Sequence, residues 1–177
     1  PEASVLTGSV WGDISPKNRL IQGNIQPGDS IVVIRSAGYH INAVSLYRKC
    51  AKRNPSFYDK VLSDGSTTGE AMLVPTHIYH NLVQALLDTE LNIHAFIPIS
   101  GHGWRKLMRH DALPYTYGVE ALPEPHPIFQ AVMEEGPVSL QEAYGQMNMG
   151  GGAAFMLPRD QVVPAIRVAA QLGYEAM

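Results

Sequence analysis

The sequence predicts one α+β domain over residues 1–177, a layered α/β sandwich built on a mixed sheet. One reason is the composition, because 45% of the residues are hydrophobic and 16% are charged, which suits a single sizeable core. A second reason is that short apolar runs alternate with amphipathic helical patterns along the chain. The connections between the apolar runs have both hairpin-like and crossover lengths, which favours a mixed sheet.

The predicted strands are short, nearly continuous apolar runs, a pattern typical of strands that are buried on both faces. The final residues, 173–177 (GYEAM), are compatible with the start of a further strand. The predicted strands are ASVLTGSVWG (3–12), SIVVIR (30–35), IHAFIPI (93–99) and the run that follows the glycines of NMGGGAAFML (148–157).

Helices are predicted where apolar residues recur every 3.6 positions and a capping residue precedes them. Ser139 and Glu142, three residues apart, form a capping box, and Cys50 lies on an apolar helix face and is expected in the core. The polar segment 54–72 predicts a mobile loop. The predicted helices begin near Asn42, Thr76, Ile128, Ser139 and Asp160.

Charge and cysteine content exclude several classes of protein. The net charge of −3 gives no general attraction to nucleic acid or to an acidic membrane surface. No apolar run approaches the roughly 20 residues that a membrane-spanning helix needs. A single cysteine rules out an internal disulfide and fits a reducing compartment. We therefore expect a cytoplasmic protein with neither a nucleic acid nor a membrane as its partner.

Three glycine-containing turns stand at junctions between predicted strands and helices: residues 36–45 (SAGYHINAVS), 100–107 (SGHGWRKL) and 148–153 (NMGGGA). Glycine lets backbone N–H groups approach an oxyanion without a Cβ in the way. None of the turns matches a Walker A loop or a complete GxGxxG pattern. Each turn taken singly is better explained by an ordinary tight turn than by a phosphate-binding loop.

The residues alone do not identify a catalytic group. His102 as a general acid or base would need a partner, and the nearby carboxylate in sequence, Asp111, is expected in a loop. His77 and His80 have H-x-x-H spacing without the further ligands of a zinc site, so no metal is expected. Ser36 and Ser100 lie outside any G-x-S-x-G elbow, which argues against hydrolase chemistry.

Four blocks of the chain together resemble the aminoimidazole ribonucleotide synthetase (phosphoribosylformylglycinamidine cyclo-ligase) family. GDSIVVIRSAGYHINAVSLYRK resembles the family's GD-led strand followed by S-x-G-x-H-x-N-G-x-S-L. LVPTHIYHNLVQALL resembles its P-T-R-I-Y helix start, and HAFIPISGHGWRKLM falls where it has a T-G-G-G turn. PIFQAVMEEGPVSLQEAYGQMNMGGGAAFMLP resembles its P-x-F…N-M-G-x-G segment. The chain is thereby identified as the C-terminal domain of a divergent member.

The resemblance implies a two-domain enzyme of purine biosynthesis. Its N-terminal domain, absent from residues 1–177, would dimerise and bind most of the ATP and magnesium. The family activates the amide oxygen of formylglycinamidine ribonucleotide, and ring closure expels phosphate. The implied fold is the layered sandwich that selenophosphate synthetase and thiamine-phosphate kinase share. We expect residues 1–177 to be a piece of a longer polypeptide and inactive alone.

The resemblance also assigns the three turns to the wall of a cleft for a small phosphorylated substrate. In its sharp form, His40 and Asn42 make polar contacts with the ligand, and Gly101 and Gly103 donate backbone N–H groups to it. The residues assigned to substrate and phosphate binding are Ser36, Gly38, His40, Asn42, Ser100, Gly101, His102, Gly103, Asn148 and Gly150.

Departures from the family pattern leave two alternatives open. His102 replaces the middle glycine of T-G-G-G, and Trp104, Arg105 and Lys106 replace the F-x-E-N that usually follows it. Ala43 replaces the glycine after the motif asparagine. The basic residues suit a more anionic ligand. The alternatives are an ATP-dependent phosphotransferase of the same superfamily, and a non-catalytic ligand-binding or regulatory module.

Overall fold

The computed structural model describes residues 7–14, 16–109 and 115–177. Within them, three strands form an antiparallel sheet in the order β1-β3-β2: β1 is Asp29–Arg35, β2 is Ala95–Pro98 and β3 is Gly151–Pro158. The α+β class is confirmed, but in these residues the sheet is antiparallel and not mixed. The reason is that β3, the last strand, runs between β1 and β2 in the opposite direction and pairs with both.

The composition of β3 explains its central place. Its residues are buried almost without exception, as the continuous apolar run predicts. Phe155 and Leu157 contribute to the core on one face, whereas Ala154 and Met156 contribute to the core on the other. The register pairs Ile34 of β1 with Ala153, and Ala95 of β2 with Met156.

The helices that were predicted from strong apolar periodicity are present. The predicted capping box at Ser139 is confirmed, because its side chain accepts a hydrogen bond from the Glu142 N–H and the carboxylate of Glu142 accepts one from the Ser139 N–H. Cys50 is fully buried, as expected. The α-helices are α1 Val44–Arg53, α2 Thr68–Met72, α3 His80–Leu87, α4 Pro127–Glu135, α5 Leu140–Gln146 and α6 Val162–Gln171, with 3₁₀ turns at Lys17–Arg19, Phe57–Asp59, Gly103–Met108 and Arg159–Gln161.

Three sequence-based predictions differ from the structure. Segment 54–72 contains a 3₁₀ turn and α2, because Phe57 anchors it in the core and Thr67 caps α2. Helix α3 begins at His80, so Thr76 does not cap it. Residues 7–12 of the predicted opening strand form no strand, and residues 3–6 lie outside the described part of the chain.

The two faces of the sheet are covered differently. Helices α3 and α6 pack on one face, whereas the other is covered by residues of the irregular segments, among them Ile25 and Leu107. A third cluster beyond the sheet joins α1, α4 and α5. The last residues extend the sheet, because Met177 exchanges two backbone hydrogen bonds with Val33 at 2.8 and 3.0 Å.

A buried polar pair links the two outer strands. Asp29 opens β1 and His94 precedes β2, and the carboxylate Oδ2 lies 2.7 Å from His94 Nδ1. Among the described residues, no helix is long and apolar enough to cross a membrane.

Candidate functional site

The strand directions bring the three glycine-containing turns together at one end of the sheet. Strands β1 and β2 end where β3 begins, because β3 is antiparallel to both. The Ser36 N–H donates to the Gly150 carbonyl at 2.7 Å, and the Ile99 N–H donates to the Gly152 carbonyl at 3.0 Å. Residues 36–42, 100–103 and 148–152 therefore lie together at this end of the sheet and are named the three-turn site.

The first turn has an unusual backbone. His40, Ile41 and Ala43 have positive φ angles of 52°, 51° and 54°, in a region that L-residues rarely adopt. Such conformations persist only where the surrounding structure enforces them, and they concentrate at functional sites. The Ala37 N–H donates to Nε2 of His40 at 2.9 Å, so the hydrogen of the neutral ring lies on Nδ1.

Asn148 holds the first and third turns against each other. Its side-chain amide donates to the Gly38 carbonyl and accepts from the Gly150 N–H, each at 3.1 Å. Asn148 is completely buried, so these bonds are shielded from water. Gly150 has a φ of +90°, and a Cβ there would lie 2.7 Å from the Glu124 carbonyl oxygen. Asn148 and Gly150 thus shape the site. The Gly38 carbonyl already accepts the hydrogen bond from Asn148.

Several polar atoms at the site are buried without a hydrogen-bond partner among the described residues. They are the Ser36 hydroxyl, both amide atoms of Asn42 and the hydroxyl of Tyr79. Leaving one such group unsatisfied costs about 1–3 kcal/mol. Ser36, Tyr79 and the His40 ring surround Gly152, because a Cβ there would contact all three. These polar atoms can each form a hydrogen bond that the described residues do not supply.

A histidine cluster lies beside these groups. The rings of His40 and His77 are 5.6 Å apart, and Nε2–H of His126 donates to the Ser36 carbonyl at 2.8 Å. Burial, with smaller contributions from the neighbouring His77 and His126, lowers the pKa of His40 to about 4. Burial also lowers the pKa of His77, with a smaller effect from His126. His40 is therefore neutral near pH 7 and presents an N–H donor without a positive charge.

The second turn divides into an exposed tip and a buried anchor. Gly101 and His102 are exposed, and His102 has a φ of +74° where the family pattern has glycine. Gly103 is buried with a φ of +52°, and a Cβ there would lie 2.6 Å from the Met147 carbonyl oxygen. The indole N–H of Trp104 donates to the Asn148 carbonyl at 2.8 Å. The turn is thus fixed to the third turn through its buried half.

The basic residues after the second turn take different directions. The ammonium of Lys106 donates a hydrogen bond back to the Ser100 hydroxyl. The guanidinium of Arg105 lies against Gly145 of α5, 3.1 Å from where a Cβ would stand. Arg109 is exposed. Lys106 is therefore the cation that contacts the three-turn site.

The sequence analysis identified the residues of the three turns but not all of the residues that lie next to them in the fold. Tyr79 stands in the block that resembles P-T-R-I-Y, which is the signal that could have found it. No local signal marks His126, since it reaches Ser36 from 90 positions away. Lys106 was noted as a departure without a contact assigned to it. Gly152 became evident only from the side chains packed around it.

The family resemblance implies magnesium and ATP, so the arrangement of the metal-binding side chains matters. In residues 7–14, 16–109 and 115–177, no group of three or more His, Cys, Asp or Glu side chains is arranged to hold a metal ion. Magnesium prefers carboxylate oxygens and phosphate ligands. The described residues therefore offer no ready-made cluster of three or more such side chains to a metal ion.

The fold and site define a class: an α+β domain that gathers three backbone turns, buried unsatisfied polar groups and a cation at one sheet end. No family model matches the chain. The chain does match curated proteins named phosphoribosylformylglycinamidine cyclo-ligase. The protein of Methanocaldococcus jannaschii is 35% identical over 171 residues, and that of Methanococcus maripaludis strain C6 is 33% identical over 172; each alignment covers 93% of this chain and 47% of the relative.

A third relative, from Methanothermobacter thermautotrophicus, is 31% identical over 167 residues, covering 92% of this chain and 47% of the relative. The chain belongs to the family of phosphoribosylformylglycinamidine cyclo-ligase-related proteins. It spans about half the length of the curated relatives that it matches.

Proposed function

We propose that the chain is the C-terminal substrate- and phosphate-binding domain of an ATP-dependent cyclo-ligase of purine biosynthesis. The observation that carries this proposal is the set of buried, unpartnered polar atoms of Ser36, Asn42 and Tyr79 in the three-turn site. A buried polar group without a partner is stabilised when a ligand supplies the missing hydrogen bond. The names of the relatives indicate a phosphoribosyl compound as the ligand class.

The residues divide the recognition of this ligand between neutral and charged groups. Ser36, Asn42 and Tyr79 offer hydroxyl and amide groups, which suit the hydroxyls and amides of a ribosyl amidine. His40, neutral near pH 7, donates its Nδ1–H without adding a charge. The backbone N–H of Gly101, at the exposed tip of the second turn, is proposed to face the phosphate, whereas the assignment of Gly103 as a donor fails because its N–H already donates to the Ser100 carbonyl at 2.7 Å. In this arrangement the chain binds and orients the substrate.

The proposal assigns ATP binding and dimer formation to a second domain, which is not part of residues 1–177. Nucleotide binding is assigned to an N-terminal domain, because the family resemblance places it there and the described residues hold no cluster of three or more metal-binding side chains. Two cavities, of about 460 and 800 Å³, lie away from the three-turn site, at the edge of β2 and at the opposite end of β1. A ligand on the three-turn site would gain its second wall from the partner domain.

The test is a kinetic and calorimetric comparison of the complete polypeptide that carries this domain, with formylglycinamidine ribonucleotide as substrate. Asn42→Ala removes both unpartnered amide atoms, and we expect the apparent KM to rise about tenfold while the domain stays folded. Asn24→Ala, at an exposed residue, is the matched control and should leave KM unchanged. An unchanged KM in Asn42→Ala would refute the assigned contact.

One observation favours the phosphotransferase alternative. The exposed His102 and the Lys106–Ser100 contact change the second turn toward a more anionic ligand than the family pattern suggests. A product assay separates the two functions. Cyclisation yields ADP and inorganic phosphate, whereas a phosphotransferase yields ADP and a phosphorylated acceptor.

A further inference from the structure

Lys106 is the basic side chain that turns back onto the three-turn site. Its ammonium donates to the hydroxyl of Ser100, the residue that opens the second turn. Among the described residues, no carboxylate lies within ion-pair distance of the Lys106 ammonium. We propose that Lys106 and Ser100 form an anion subsite that takes the phosphate of the substrate.

The charge balance around Lys106 supports this subsite. The side chain is half-buried, and burial together with the nearby Arg109 lowers its pKa. A partly desolvated cation without a counter-charge is costly, and a phosphate dianion would supply the missing charge. Arg105 is held against the backbone of α5 at Gly145, so it does not fill the same role. The Ser100 hydroxyl, which accepts from Lys106, still has its own hydrogen to donate to a phosphate oxygen.

The position of the subsite defines the size of the ligand. Ser36 and Ser100 follow strands on opposite sides of β3: the Ser36 N–H donates to the Gly150 carbonyl, and the N–H of Ile99, the residue before Ser100, donates to the Gly152 carbonyl. Neighbouring strands are about 4.8 Å apart, which places the two serine backbones about 10 Å from each other. A phosphate monoester with its phosphate at Lys106 and its polar body at Ser36 matches that span. The subsite therefore deepens the proposed function and rests on it.

The experiment measures inorganic phosphate binding to the complete polypeptide that carries this domain, by NMR titration and calorimetry. Lys106→Gln should weaken binding at least about tenfold, since a charge-assisted hydrogen bond contributes more than one decade of affinity. Lys106→Arg should restore much of the affinity, because it retains the charge. Lys52→Gln, on the exposed face of α1, is the matched control. Equal affinity in wild type and Lys106→Gln would overturn the proposal, as would weak binding by all variants.

A second probe separates this subsite from the function on which it rests. Ribose 5-phosphate carries both the phosphate and the polar body, and its binding is measured in Lys106→Gln and in Asn42→Ala. If only Lys106→Gln weakens it, the subsite stands and the assigned role of Asn42 fails. If only Asn42→Ala weakens it, the three-turn site binds the sugar and the Lys106 subsite is refuted. Weakening by both is the expected result.

Discussion

The hydroxyl of Tyr79 lies directly over the backbone of Gly152, in the space that a Cβ at that position would occupy. Tyr79 precedes α3, whereas Gly152 is the second residue of β3, so the contact joins two elements that are distant in sequence. The same virtual Cβ would lie 3.0 Å from the Cα of Ser36. The absence of a side chain at Gly152 is therefore what allows the polar groups of the three-turn site to meet.

The first prediction concerns Gly152→Ala. The added methyl group collides with the Tyr79 hydroxyl and with Ser36, so we expect a loss of about 2–3 kcal/mol in the free energy of unfolding. In a Tyr79→Phe background the cost should fall by about 1 kcal/mol, since the hydroxyl is gone. Urea denaturation of the four proteins measures this coupling. Gly118→Ala, which meets no neighbour, is the control, and strictly additive effects would contradict the contact.

The second prediction separates stability from binding at the unpartnered hydroxyls. Ser36→Ala and Tyr79→Phe remove polar atoms that make no hydrogen bond within the described structure. We therefore expect the free energy of unfolding to stay constant or to rise by up to about 1 kcal/mol. Binding of ribose 5-phosphate should nevertheless weaken about tenfold. Thermal unfolding and calorimetry on the same samples test both halves, and destabilisation with intact binding would show a purely structural role.

The parts of the fold that the sequence predicted are those governed by local signals. The run SIVVIR, the capping box at Ser139 and the apolar face around Cys50 each depend on residues within one element. The insertion of β3 between β1 and β2 depends on pairing between residues more than 50 positions apart. The strand directions therefore could not be inferred from the sequence. Helix α2 was missed although the local capping box at Thr67 marks it, because the surrounding polar residues dominated the interpretation.

The candidate site shows the same division. The three turns were predicted from glycines at strand ends, whereas their assignment to one cleft came from the family resemblance; the structure places the three turns at the same end of the sheet. Tyr79 and His126 come from segments far along the chain, and only folding brings them to Ser36 and Gly152. Which polar groups remain unpartnered is likewise a property of packing and has no sequence signature.

The third prediction concerns the backbone of the second turn. His102 has a φ of +74°, and a left-handed conformation costs an L-residue roughly 1 kcal/mol that glycine does not incur. His102→Gly should therefore raise the free energy of unfolding by about 0.5–1 kcal/mol. Asn24→Gly, at an exposed position without a positive φ, is the matched control and should lower it by a similar amount. A loss of stability in His102→Gly would show that the imidazole makes a compensating contact.

The last prediction is a pH dependence that originates at His40. Burial lowers its pKa to about 4 in the folded chain, whereas an unfolded histidine titrates near 6.5. As the pH falls from 6.5 toward 4, the unfolded state takes up a proton that the folded state excludes, so the folded state becomes less stable. Between pH 7.5 and pH 5 we expect the free energy of unfolding to fall by about 1–2 kcal/mol. His40→Gln should flatten this slope. Glu142→Gln should not, because hydrogen bonds from Ser139 lower the pKa of that carboxyl and its contribution is lost only at more acidic pH. Urea denaturation at both pH values decides, and an unchanged slope in His40→Gln would exclude His40 as the origin.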